Sequence, residues 1–307
     1  MNILTTENLC KKYKDRLVVN NVNMHINEGD IYGFVGENGA GKTTIIRLIT
    51  SLAKPTSGSI ALCGYDINSK EAKAMRSQMG GIIESVSLNT GMTAIENLKV
   101  QCYLSGVKKT DEELIELIER VGLNYDEIAK KKTGNFSLGM RQRLGIAIIL
   151  VNDPKFILLD EPMNGLDPQG FIDVRETILR LHEQGITFLI SSHILSELEK
   201  ICNRVGFISH GKLIKEVTMD QIHEESGEKV VVQFSTSQEA ETFKKAITEE
   251  LKLEKVVAEN VSVSIYDKVT LNDVMQFISK KNFKATSFNS VSETIEDYYI
   301  NAMKEAK

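Results

Sequence analysis

Gly36-Glu37-Asn38-Gly39-Ala40-Gly41-Lys42-Thr43-Thr44 decides the fold, because it fits the pattern G-x-x-x-x-G-K-[ST] and the chemistry of phosphate binding demands those residue types. Glycines let the backbone curl until successive N–H groups point at phosphate oxygens. The helix that begins there turns its positive end toward the anion. Lys42 supplies a point charge for the β- and γ-phosphates, and Thr43 a hydroxyl for Mg²⁺. The surroundings agree. Ile31-Tyr32-Gly33-Phe34-Val35 reads as a buried strand feeding the loop, and Ile45, Ile46, Leu48 and Ile49 give the next helix an apolar face. Residues 36–44 are therefore the expected contacts of a nucleoside triphosphate.

Outward from the loop, strands and helices alternate. Ile3-Leu4, Leu17-Val18-Val19 and the alternating Val22, Met24 and Ile26 read as strands ending at the turn Glu28-Gly29-Asp30. Pro55-Thr56-Ser57-Gly58 breaks the chain, and a short strand resumes over 59–62. From about 93 to 150 the pattern is helical, with Thr110 and Glu113 as a capping box. Four apolar residues, 156–159, then run into Asp160. A helix over 171–183 stops at Gly185, followed by a strand over 187–191, a helix over 194–202 and a strand over 205–209. This alternation predicts an α/β fold with a mostly parallel core sheet, an antiparallel N-terminal β part and a helical insertion spanning about 85–150. Beyond residue 224 the runs fit β-α-β-β-α-β with a closing helix over 292–303, a small ferredoxin-like α+β unit. The expected domains are 1–223 and 224–307, the second with a regulatory or dimer-supporting role.

Composition narrows the class. The 307 residues are 42% hydrophobic and 26% charged, ordinary for a globular chain, and the net charge of −5 argues against a nucleic-acid partner. Cys10, Cys63, Cys102 and Cys202 are widely spaced, with neither a C-x-x-C nor a nearby His pair, as expected of reduced thiols in the cytoplasm. The polar, charged N-terminus does not read as a signal peptide. The longest apolar run, Leu144 to Val151, is far short of the ~20 residues that span a bilayer. If a membrane is involved, the expectation is contact through a partner.

The second half of the site is expected at Asp160 and Glu161. A buried strand opens its C-terminal end where α/β sheets bind ligands. Side chains alternate there, so Asp160 is placed for the metal and Glu161 for polarising a water. The rival reading, a surface turn before Pro162, sits poorly behind an apolar strand and a phosphate loop.

With these motifs in order, the chain resembles the ATPase subunit of ATP-binding-cassette (ABC) transporters over about residues 3–220, which makes the expected fold an ABC-type P-loop NTPase. Phe136-Ser137-Leu138-Gly139-Met140-Arg141-Gln142-Arg143 resembles the family signature, typically Leu-Ser-Gly-Gly-Gln, with its second glycine and glutamine read as replaced by Met140 and Arg141. Gly165-Leu166-Asp167 resembles the D-loop, Ser191-Ser192-His193 the switch-histidine segment, and Lys12-Tyr13 the aromatic that stacks on adenine. The resemblance implies ATP and Mg²⁺ as ligands, held by a dimer of cassettes. Ser137 and Gly139 of one copy would reach the γ-phosphate bound by the other, with Asp167 beside it, while His193 hydrogen-bonds that phosphate. Ser137 is also a good N-cap, which fits a phosphate-facing helix end.

Most of the family has glutamine where this chain has Glu84, in the loop that touches Mg²⁺ and the attacking water and couples to the membrane subunit. That glutamate, the variant signature and the segment 91–98 resemble the subgroup serving bacitracin and lantibiotic self-protection. The implied partner is a membrane permease, with this chain peripheral on the inner face of the cell membrane and a toxic peptide as exported cargo. Rival functions are a soluble cassette ATPase of translation or DNA repair and a nucleotide-gated module with little turnover. Tandem cassettes typify the translation class and an inserted coiled coil the repair class, and the chain has neither. No Asn-Lys-x-Asp motif points to GTP.

Overall fold

A computed structural model describes residues 1–225, 228–266, 269–292 and 294–305. The chain divides into two compact units, Met1–Thr218 and Met219–Glu305.

The first unit opens with a long antiparallel hairpin, β1 (Asn2–Tyr13) and β2 (Arg16–Asn27), then β3 (Ile31–Val35), the phosphate loop and α1 (Lys42–Ile49). Next come β4 (Ser57–Leu62), β5 (Tyr65–Asp66), α2 (Lys70–Arg76) and β6 (Met79–Ile82). The helical insertion follows as α3 (Ala94–Ser105), α4 (Asp111–Arg120), α5 (Tyr125–Ile128), a 3₁₀ turn at Thr133–Asn135 and α6 (Leu138–Leu150). The core then resumes with β7 (Phe156–Asp160), α7 (Pro168–Glu183), β8 (Thr187–Ser192), α8 (Leu195–Leu198), β9 (Arg204–Ser209) and β10 (Lys212–Thr218).

Two sheets result. One is antiparallel in the order β2-β1-β4-β5; the other has the order β10-β9-β3-β8-β7-β6, parallel throughout except for β10. Every residue of β3, β7 and β8 is buried, which is why their middles read as continuous apolar runs rather than alternating ones. Leu4, Met24 and Ile26 of the antiparallel sheet share one core with Phe34, Leu158 and Leu189 of the parallel sheet and with Ile45, Ile46 and Ile49 of α1. Both ends of α1 are thereby anchored in apolar packing, so the phosphate loop ahead of it has a rigid base. Glu216 of β10 ties the two sheets, accepting from the Tyr32 hydroxyl at 2.9 Å and the His25 backbone N–H at 2.9 Å.

The structure departs from the sequence reading at several places. β1 and β2 are longer than the runs that announced them. β5, β6 and β10 are strands, and α2 a helix, where none was expected. The helix expected over 194–202 is only Leu195–Leu198, followed by turns.

The second unit comprises α9 (Met219–Glu225), β11 (Glu228–Gln233), α10 (Ser237–Leu251), β12 (Val256–Glu259), β13 (Ser262–Ile265), α11 (Leu271–Lys281), β14 (Ser287–Ser292) and α12 (Ile295–Glu305). Its sheet is antiparallel in the order β12-β13-β11-β14, the split β-α-β arrangement of ferredoxin-like domains. Val230, Val232, Val263 and Ile265 pack against Phe243 and Ile247 of α10 and Phe277 of α11 in a separate core. Residue 293, inside the closing helix expected over 292–303, lies outside the described residues. So do 226–227, 267–268 and 306–307 of the expected 224–307 domain.

Candidate functional site

The phosphate loop sits between the C-terminal end of β3 and α1, and its backbone requires glycine at two positions. A Cβ on Gly36 would lie 2.4 Å from the Ile208 carbonyl oxygen, and Gly41 has a φ of +113°. Lys42 is buried, its ammonium donating to the Gly36 carbonyl at 2.6 Å. Glu37, Asn38, Gly39, Gly41, Lys42, Thr43 and Thr44 line one open pocket with Glu161. Ala40, itself buried, holds the loop from beneath, its carbonyl accepting from the Gly211 N–H at 2.9 Å.

Adjacent strand ends supply the carboxylates. The Thr43 hydroxyl donates to Asp160 Oδ2 at 2.8 Å, and the Ser191 hydroxyl to Asp160 Oδ1 at 2.5 Å. The Glu161 backbone N–H is shared between the Ser191 carbonyl and hydroxyl oxygens, each at 3.1 Å. Its φ of +50° turns the side chain out of the strand and over the loop. There Glu161 Oε1 lies 3.3 Å from Lys42 Nζ, and Oε2 lies 2.8 Å from His193 Nδ1. The Lys42 contact is an ion pair by distance yet misses hydrogen-bond geometry, so the buried Oε1 has no hydrogen-bond partner. Glu161 itself lines the phosphate-loop pocket. The sequence thus placed Lys42, Thr43, Asp160, Glu161 and His193 in one cluster, and the structure brings all five together.

Glu84 follows β6, lining a cleft with Arg141, Gln142, Asp160, Glu161 and Asn164. Its carboxylate is paired with Arg47 of α1, Nη2 to Oε1 at 2.6 Å. Among the described residues no three His, Cys, Asp or Glu side chains cluster as a metal cage. Mg²⁺ needs no such cage, since it keeps waters and binds through one or two protein oxygens plus substrate phosphates. The Thr43 hydroxyl beside Asp160, next to the phosphate loop, is a donor set that fits it.

The remaining candidates lie apart from this cluster. Ser137 is exposed and caps α6, accepting from the Met140 N–H at 3.2 Å. Gly139 is buried, and a Cβ there would come within 3.3 Å of the Gly170 Cα, so within the chain this glycine permits α6 to approach α7. With Ser137 fixed as the cap, the register against Leu-Ser-Gly-Gly-Gln is corrected. Leu138 and Gly139 take the two glycine positions and Met140 the glutamine position. Leu138, 41% exposed at the helix start, is therefore the larger departure. Asp167 caps α7 through the Gly170 N–H at 2.9 Å. Tyr13 lies at the end of β1, exposed, with the Lys11 ammonium 4.8 Å over its ring. The hairpin residues that line the loop's pocket are instead Arg16 and Val18. These two, with Arg47 and the Ser191 hydroxyl, are contributions that motif reading missed. Only the seam between the β1–β2 hairpin and the loop could have flagged Arg16 and Val18.

Comparison with known proteins identifies the family. The family model described as ABC transporter matches residues 19–164. The chain is 35% identical to the bacitracin transport ATP-binding protein BcrA of Enterococcus faecalis, over 97% of this chain and 95% of that one. It is 44% identical to the lantibiotic transport ATP-binding protein SrtF of Streptococcus pyogenes, over 71% of this chain and 92% of that one. Among solved structures, a dimeric ATP-binding cassette in a post-hydrolysis state bound to ADP and phosphate superposes with a TM-score of 0.62 at 25% identity, covering 70% of this chain and 98% of that one. Taken with a phosphate loop, a strand-end carboxylate pair and a histidine in one cluster, these likenesses show that the chain belongs to the ABC transporter family, as one of its ATP-binding, ATP-hydrolysing subunits.

Proposed function

We propose that two copies of this chain clasp magnesium–ATP between them and hydrolyse it to drive a separate membrane permease that exports a peptide antibiotic of the bacitracin or lantibiotic type. The observation that carries the hydrolytic part is the Lys42–Glu161–His193 chain of contacts beside the Thr43–Asp160 pair. The cargo class rests on the two named transport relatives. No described helix is long and apolar enough to cross a membrane, so the permease would hold the subunit at the inner face.

Thr43 and Asp160 would hold Mg²⁺, which supplies charge stabilisation at the β/γ-phosphate oxygens. Lys42 and the loop N–H groups bind and orient the triphosphate. Glu161 Oε1, beside Lys42, accepts the proton of the attacking water, and His193 holds the other carboxylate oxygen in place. Ser137 and Gly139 at the start of α6, with Asp167 of the D-loop, would meet the γ-phosphate on the opposite copy, consistent with Ser137 lying outside its own chain's loop pocket. Tyr13 remains the proposed adenine-side aromatic and Arg16 its neighbour.

Glu161→Gln tests the assignment. ATP affinity should stay near the unaltered value while turnover falls by about 10²–10⁴, the contribution of a positioned base. Near-normal phosphate release would remove Glu161 from that role.

A further inference from the structure

Glu84 brings a third carboxylate to a cleft that already holds Asp160 and Glu161. Its charge adds to theirs, so where this side chain rests bears on any anion that enters. Two features hold this side chain. The Ser85 N–H donates to the Ile83 carbonyl at 2.8 Å, closing a three-residue turn with Glu84 at its centre and a φ of +66°. That is the strained, positive-φ form of γ-turn, which persists where neighbours enforce it. The second feature is the Arg47 guanidinium, 2.6 Å from Glu84 Oε1. Arg47 stands on α1, the helix whose first residues are Lys42 and Thr43, so the group that holds Glu84 is rigidly joined to the phosphate-binding end.

Both partners of the pair are well exposed, 43% for Arg47 and 61% for Glu84. An ion pair in that setting is weak and exchanges readily. It suffices to bias a side chain between two positions without locking it.

We propose that Arg47 is a positioning residue for Glu84: it holds the carboxylate beside α1 and away from Asp160 and Glu161 until a magnesium nucleotide enters the cleft. The proposal rests on reading that cleft as the magnesium–ATP site. Without Arg47, Glu84 is free to swing into the shared cleft, where its charge repels the phosphates of metal-free ATP. Bound cation cancels that repulsion.

The test is a double-mutant cycle read by equilibrium binding of a fluorescent ATP analogue to the full chain, once with chelator and once with excess Mg²⁺. Arg47→Ala should weaken metal-free binding by about two- to fivefold, the scale of one exposed ion pair. The loss should vanish with Mg²⁺. In a Glu84→Gln background Arg47→Ala should change neither measurement, and Arg47→Lys, which keeps the charge, should behave as the unaltered chain does. If Arg47→Ala proves insoluble, Arg47→Gln replaces it in the same cycle. An equal loss with and without Mg²⁺, or an equal loss in the Glu84→Gln background, would make Arg47 merely structural and overturn the proposal. Failure of the unaltered chain to bind either form of ATP would instead sink the underlying reading of the site.

Discussion

At the scale of single residues, Ser191 does two jobs that no motif assigns to it. Its hydroxyl donates to Asp160 Oδ1 and at the same time accepts from the Glu161 N–H, so one buried oxygen holds the Asp160 carboxylate and the Glu161 backbone. Ser191→Ala takes the donor from Asp160 Oδ1 in a buried place and leaves the Glu161 N–H only the residue-191 carbonyl, which should cost about 1–3 kcal/mol of stability. Because Glu161 then loses part of its backbone anchor, turnover should fall by roughly tenfold, equivalent to ~1.4 kcal/mol in the barrier. Thermal melting with steady-state ATPase kinetics checks both numbers. A melting loss with unchanged kcat would show that Ser191 only packs. The difference in legibility has a physical reason. Lys42 and Thr43 are fixed by a contiguous loop, and Asp160 and Glu161 by a strand end, so local pattern names them. Arg47 and Ser191 matter through contacts 37 and 31 residues away in sequence, which no local pattern encodes.

Among the elements, β6 was the hardest to see. Met79-Gly80-Gly81-Ile82 has two residues depleted in strands, and its side chains give no alternation. Packing explains the composition. A Cβ on Gly80 would lie 2.1 Å from Ile149 Cγ2 of α6, so the strand runs this close to the helix only without a side chain. Gly80→Ala should therefore destabilise the chain by about 1–3 kcal/mol through overpacking. Adding Ile149→Ala, which removes that Cγ2 methyl, should cost less than the sum of the two single changes, a non-additivity expected of residues in contact. Denaturant unfolding of the single and double variants measures it; strict additivity would mean the backbone moves aside instead. The helix starts were easier to read. Thr110 with Glu113 forms the expected capping box, and Ser137 caps α6 where the signature begins, because caps are local hydrogen-bond chemistry. The end of the switch-histidine helix was misjudged. Residues 194–202 carry a helical spacing of apolar groups, yet only Leu195–Leu198 forms regular helix before the chain turns into β9.

On the scale of the whole molecule, chemistry and length are unequally shared. Each of the two units has its own apolar core. All of the candidate residues, and every partner named for them, fall between Met1 and Thr218. The α/β architecture was legible because buried parallel strands alternate with amphipathic helices. The β-α-β-β-α-β order of the second unit was legible because its strands and helices keep distinct periodicities. Its role was not, since its prominent features are packing ones, such as the Phe234, Phe243, Phe277 and Phe283 ring cluster and the 2.6 Å Lys229–Asp297 pair. We propose that residues 219–307 are accessory to nucleotide binding. A chain ending at Thr218 should then bind the fluorescent magnesium–ATP analogue within about threefold of the full chain, well short of the tenfold that 1.4 kcal/mol represents. Any larger change on truncation should appear in ATP-dependent pairing or in permease-coupled turnover, measured by light scattering and by phosphate release from the reconstituted complex. An affinity loss beyond tenfold in a truncated chain that still melts cooperatively would mean that the second unit helps to build the nucleotide site.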